Sequence, residues 1–245
     1  MEWFDEAIVI GVRKHGETSV IAELMTLERG RHLGLVHGGR SRTMRPVLQP
    51  GNSVRATWRA RLDEHLGQFR LEGERLRAGE LMQAAHGIYA VQIVSSLLRL
   101  LPERDAHPAL YRMFAIILDH LEEPHIAAEL VARFELAILD ELGFGLDLTR
   151  CAATGARNDL LYVSPKSGNA VSGDAGVPYA DKLLALPSFF LARDTEDVET
   201  ASSADIADGF ALTGLFLHRH VYGPRAIQPP AERESLIRLI KQMKD

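Results

Sequence analysis

The chain has 245 residues, 46% of them hydrophobic and 25% charged, with 28 Lys and Arg against 33 Asp and Glu and a formal net charge of -5. That length and apolar content can bury a substantial core in one large or two small domains, and no apolar run approaches the roughly 18 residues that span a membrane. A single cysteine, Cys151, excludes an internal disulfide framework and fits a reducing cytoplasmic compartment.

Residues 1–80 hold 13 basic against 11 acidic side chains and the remainder 15 against 22, so the two parts differ in sign. Short glycine-punctuated strands are predicted over 6–14, 18–27, 31–37, 53–62 and 68–76. In the fourth, Val54, Ala56, Trp58, Ala60 and Leu62 alternate with Arg55, Thr57, Arg59 and Arg61, placing an apolar face opposite three guanidinium groups. In the fifth, Phe69 and Leu71 alternate with Gln68, Arg70 and Glu72. A sheet with one apolar face closes on itself or is covered; five strands fit an oligonucleotide-binding barrel, and an SH3-like barrel almost as well.

Helical spacing takes over after Gly79. Leu81, Ala84, Ala85, Ile88, Val91, Ser95 and Leu98 form one stripe, ended before Pro102. Further helices are predicted over 107–122 and 125–142, the latter closed by Gly143. A turn-rich irregular insert covers 149–176, helical periodicity returns over 204–221, and a last helix follows Pro229 and Pro230. That helix is expected to turn Leu236, Ile237, Ile240 and Met243 inward and Arg233, Arg238, Lys241 and Lys244 outward. The expected fold class is α+β and multidomain, with an N-terminal oligonucleotide-binding barrel over 1–79 and a mostly helical domain over 80–245 that carries a degenerate zinc-finger-like insert at 149–178.

The densest physical signal is the stretch 29–62, which holds Arg29, Arg31, Arg40, Arg42, Arg45, Arg55, Arg59 and Arg61 and no acidic residue. Such a surface binds phosphate backbones by counterion release, largely without regard to base sequence. All eight are candidate DNA-binding residues. Barrels specialised for single strands offer aromatic platforms, but Trp58 and Phe69 are in phase with the apolar alternation and read as core. The expected grip is on backbones of both single strands and duplex.

The words EAIVIGVRKHGETSVIAELMT, ERGRHLGLVHGGRSRTMRPVLQPGN, FELAILDELGFGLDLTRC and GNAVSGDAG, in that order, resemble the RecO family of recombination mediators. The resemblance implies a barrel that binds single- and double-stranded DNA, annealing of complementary strands, assistance to recombinase loading in the RecF pathway, and no catalytic centre, cofactor or nucleotide. It also implies partnership with RecR, with single-strand-binding protein and, indirectly, with RecA, and a nucleoid-associated cytoplasmic location. It places basic residues at Arg40 and Arg42. Capture of an acidic tail ending in an aromatic residue calls for an apolar slot beside a positive charge, and Arg99, Arg104 and Arg112 around Pro102 are the candidate partner-binding residues.

The insert departs from the family pattern. The resemblance implies that many relatives carry two CxxC pairs there, a structural zinc signature; the same spacing here falls on Cys151, Thr154, Ser172 and Ala175. One thiolate cannot close a tetrahedral site, so no metal is expected, Cys151 reads as a relic or a small buried apolar residue, and packing of Leu160, Leu161, Tyr162 and Val163 is expected to hold the loop. Enzyme signatures are missing: GGRSRT lacks the lysine and spacing of a phosphate-cradling loop, and there is no nucleophile elbow or HExxH pair. His218 and His220, flanking Arg219, read as solvated or as partners of a helix C-terminus. A rival reading is a protein-interaction adaptor or an RNA-binding factor built on a small barrel and a helical bundle.

Overall fold

A computed structural model describes residues 1–81, 84–191 and 201–243, and the chain divides into two compact units, Met1–Glu122 and Glu123–Asp245. The first unit opens with β1 (Glu2–His15), β2 (Ser19–Thr26), β3 (Gly30–Val36), α1 (Met44–Val47), β4 (Ser53–Arg59) and β5 (Gln68–Arg75). The five strands close in the order β1-β2-β3-β5-β4. Every pairing is antiparallel except the parallel contact of Leu35 with Gln68 between β3 and β5. This is the Greek-key closure of the oligonucleotide-binding barrel, not an SH3-like one. Val54, Ala56, Trp58, Phe69 and Leu71 fill its core together with Val9, Val20, Ala22, Leu24 and Leu48, as the alternation of β4 and β5 predicts, except that β4 stops at Arg59, so Ala60 only packs against the core and Leu62 is exposed.

The unit continues through α2 (Ala78–Leu81), α3 (Ala85–Leu98) and α4 (Pro108–Asp119), and the change of periodicity at residue 79 falls inside it. The predicted stripe from Leu81 needs correction. A separate helix starts at Ala85, whose buried side includes His86, Ala90, Val91, Ile93, Val94, Leu97 and Leu98, while Ile88 is exposed. Ile8 and Ile10 on β1 and Ile21 and Met25 on β2 are buried outside the barrel's own core. They lie where α3 meets β1 and α4 meets β2. Gly11 leaves room for the Arg99 guanidinium, from which a Cβ there would stand 2.3 Å and which donates to the Ile10 carbonyl at 2.8 Å.

At one end of the barrel His32, Trp3, Trp58 and Phe69 form an aromatic box, with His32 edge-on to both tryptophans at 5.0 Å. His32 is 2% exposed and neither ring nitrogen has a hydrogen-bond partner. Burial, reinforced by the Arg104 charge, pushes its pKa from 6.5 to about 4. The imidazole is therefore neutral in the fold. As pH falls from 6.5 toward 4 the unfolded chain takes up a proton that the barrel refuses, so stability is lost across that window. His32→Phe is expected to flatten the fall of melting temperature over this range; a variant that loses stability as steeply as wild type would contradict the assignment.

The second unit contains α5 (Pro124–Glu141), β6 (Leu160–Val163), β7 (Ala170–Ser172), α6 (Gly173–Gly176), β8 (Leu184–Ala185), α7 (Ser203–Leu217), α8 (Gly223–Arg225) and α9 (Ala231–Gln242). α5 ends as expected, with Gly143 in the left-handed region at φ 83° and the Phe144 N–H donating to the Leu139 carbonyl at 2.8 Å. α7 begins at a capping box formed by Ser202 and Asp205, and α5, α7 and α9 pack on one another. The stretch expected to be irregular supplies β6 and β7 to a three-stranded sheet in the order β7-β6-β8. Leu160 and Val163 of β6 are buried, and Leu161 is exposed. No zinc-finger arrangement is seen there, and among the described residues no group of three or more His, Cys, Asp or Glu is placed to hold a metal ion.

Two expectations for α9 are overturned. Arg233 turns inward, because the carboxylate of Glu135, itself 0% exposed, demands a partner and receives two hydrogen bonds from Arg233 at 2.7 and 2.9 Å. Met243 is exposed, past the last helical turn. Lys244 lies outside the described residues. His220 is not simply solvated: it stacks on Phe144 at 4.9 Å and on Phe216 at 6.2 Å, in a π-helical turn over His218–Tyr222.

Candidate nucleic-acid interface

The loop between β3 and β4 carries Arg40, Arg42 and Arg45 and is pinned at both ends. At its start the Arg40 N–H donates to the Thr18 carbonyl at 3.0 Å, and the Arg40 guanidinium donates to the Glu17 carbonyl at 2.6 Å. The loop is thereby tied to the β1–β2 turn. At its end the buried Asn52 amide donates to the Pro46 and Val47 carbonyls at 2.6 and 3.0 Å and accepts the Arg77 N–H at 2.7 Å. Between them the Ser41 hydroxyl accepts the Met44 N–H at 3.3 Å, ahead of the short α1. These bonds order a segment that has almost no core of its own.

Arg42 and Arg45 are exposed, and no carboxylate pairs with either side chain among the described residues. The structure adds Lys14, which the sequence pattern does not single out. It comes from the end of β1 and lines one recess with Arg40 and Arg45. Arg13 is a further exposed cation on the same strand. Three basic side chains, Lys14, Arg40 and Arg45, thus meet at one mouth of the barrel, with Arg42 exposed on the same loop, a geometry suited to neutralising successive phosphates.

The other arginines of the stretch lie elsewhere. Arg31 is largely buried, paired with Glu23 at 2.8 Å and Glu103 at 3.6 Å, and donates to the Leu101 carbonyl at 3.3 Å. Its role is to fasten the chain after α3 against β3. Arg55 and Arg59 project from β4 as the alternation requires, but Glu74 and Glu2 pair with them at 2.8 and 2.7 Å. Exposed pairs of this kind contribute little stability, so both guanidiniums remain open to exchange partners. Arg61 is exposed beyond the end of β4, and Arg29 stands over the Trp3 ring at 6.0 Å. Phe4, which the sequence pattern also leaves unmarked, is 85% exposed on the outer face of β1, with Thr57 as its register partner on β4.

The three candidate partner-binding arginines do not form one cluster. Arg99 pairs with Glu23 at 2.8 Å. Arg104 donates to the Asp63 carbonyl and, at 2.8 Å, to the His65 carbonyl, clasping the β4–β5 loop. Arg112 is exposed on α4, where Ile116, one turn on, is also exposed.

Cys151 is buried, as expected of a small core residue, and its sulfur is hydrogen-bonded. The Ser172 hydroxyl donates to its sulfur at 3.3 Å, and this bond with that from Thr154 pulls the thiol pKa down to about 6. Three of the four positions assigned by the zinc spacing therefore converge, held by hydrogen bonds.

Comparison with known proteins adds to this geometry. The chain matches the family models described as "Recombination protein O N terminal" over residues 1–73 and "Recombination protein O C terminal" over residues 83–226. It is 61% identical over 237 residues to "DNA repair protein RecO" of Rhizobium etli, covering 97% of this chain and 91% of the relative. It is 58% identical over 241 residues to the protein of the same description from Methylorubrum populi, covering 98% of each.

Proposed function

Because the chain belongs to the RecO family of DNA repair proteins, we propose that it binds single- and double-stranded DNA through the cationic mouth of its barrel, anneals complementary strands and assists recombinase loading. The observation that carries the reading is the convergence of Lys14, Arg40 and Arg45 at one end of an oligonucleotide-binding barrel, with Arg42 exposed on the same loop. Cations held on a pinned loop lower the mutual repulsion of two phosphate backbones without reading bases. The part of the β2 face that carries Ile21 and Met25 is buried, which favours the mouth over that flank of the barrel. No step of this activity calls for a nucleotide or a metal.

The direct assay is annealing of complementary oligonucleotides coated with single-strand-binding protein. Addition of the chain is expected to accelerate annealing, and a rate unchanged at saturating chain would contradict the reading. RNA oligonucleotides of equal length, as competitors, decide against an RNA-binding role if they displace DNA poorly.

RecR, single-strand-binding protein and, through them, RecA are the partners this reading requires. For the acidic tail, Arg112 with Ile116 on the exposed side of α4 supplies the charge and apolar contact that such a ligand needs. Arg99 and Arg104 already hold the barrel's own groups. Titration of a labelled tail peptide is expected to show binding weakened several-fold by Arg112→Ala and little changed by Arg99→Ala. Equal affinity in the Arg112 variant and wild type would move the tail elsewhere.

A further inference from the structure

The barrel mouth is a recess as well as a charged rim. Val12 and Lys14 pair in register with Ala22 and Val20, and antiparallel partners share a face of the sheet. Since Ala22 and Val20 belong to the barrel core, the end of β1 continues that inward face. It opens to solvent there: Val12 is 39% exposed. Val12, Val20, Leu48 and Pro50 form the apolar part of a recess of about 400 Å³, and Lys14, Arg40 and Arg45 form its rim. A Cβ on Gly39 would stand 2.5 Å from Val20, so glycine keeps this wall thin.

An apolar floor ringed by cations matches one chemical object closely, a nucleotide whose base has left the stack. From these observations we propose that the recess takes one unstacked base of a single strand against Val12, Leu48 and Pro50, while Lys14 and Arg45 hold the phosphates on either side. The proposal rests on the DNA-binding reading above and adds a preference to it. A duplex keeps its bases paired and cannot fill the recess, so duplex binds through the rim alone. Strands are then held with bases turned toward the protein one at a time and free elsewhere to pair. Gln49, whose side-chain amide N–H donates to the Arg45 carbonyl at 2.8 Å, can offer its side-chain Oε1 to a base edge.

The test compares a thymidine oligonucleotide with an abasic oligonucleotide of equal length and charge, by equilibrium binding at one salt concentration. Wild type is expected to prefer the base-bearing strand by about five-fold, the effect of burying roughly 40 Å² of apolar base surface. Val12→Ser, and Val12→Thr as a variant that keeps the β-branched shape, are expected to bring the two strands close to parity with the salt dependence intact. Arg45→Ala is expected to weaken both strands alike. Equal affinity of wild type for both strands, or a preference untouched by both Val12 variants, overturns the proposal while salt-dependent binding upholds the backbone reading. If neither strand binds, both fall together.

Discussion

Arg233→Met is expected to lower the stability of the helical unit by about 3–5 kcal/mol, the range for removing one partner of a buried ion pair. Glu135 is fully buried and Arg233 nearly so. The guanidinium gives Glu135 two hydrogen bonds, donates to the Phe210 carbonyl at 2.6 Å and lies over the Phe210 ring at 5.1 Å. The Thr213 hydroxyl also donates to Glu135. Removing the cation strands a carboxylate amid α5, α7 and α9. The double variant Glu135→Leu/Arg233→Met is expected to be more stable than the single one, because no buried charge is left unpaired. Urea denaturation followed by circular dichroism measures both, and a single variant within about 1 kcal/mol of wild type would show that the network is not a determinant of stability.

The second large effect is on binding. Lys14→Ala/Arg42→Ala/Arg45→Ala is expected to weaken single-strand binding by about ten-fold or more at moderate salt, with the melting temperature little changed, because none of the three side chains holds a carboxylate among the described residues. Arg31→Ala is expected to do the reverse. It removes one of the two arginines on Glu23, leaving Arg99, together with the partner of Glu103 and the donor to Leu101, so stability falls while affinity stays. A triple variant that binds as wild type does, or an Arg31 variant that loses affinity without losing stability, would assign the arginines the other way.

These contrasts mark what the linear sequence carries and what it does not. Period-two alternation in β4 and β5 predicts which residues fill the barrel, because each strand has one buried face and the pattern is local. Freedom from acidic residues over 29–62 is also local, but neutralisation is not. Glu2 from β1, Glu23 from β2 and Glu74 from β5 reach Arg59, Arg31 and Arg55 across strands, so an acid-free run does not make an acid-free surface. Lys14 joins the loop arginines only once β1 and β2 are in register. Phe4 falls outside the predicted first strand, which starts at residue 6, whereas β1 begins at Glu2. Arg233 has the spacing of a solvent-facing residue, and its partner is 98 residues away. In the insert the missing thiols are visible in the sequence, whereas the hydrogen bonds that gather Cys151, Thr154 and Ser172 are not.

The central claim, that cations at the barrel mouth grip DNA backbones, is tested most directly by the salt dependence of affinity. For wild type, the logarithm of the association constant is expected to fall linearly with the logarithm of salt concentration, with the same slope for oligonucleotides of unrelated base sequence. In the Lys14, Arg42 and Arg45 triple variant the slope on single strands should be shallower by roughly 0.7 for each phosphate that is no longer neutralised, about 2 in all. A wild-type slope that the triple variant reproduces would contradict the account, because the phosphates would then be held somewhere other than this mouth.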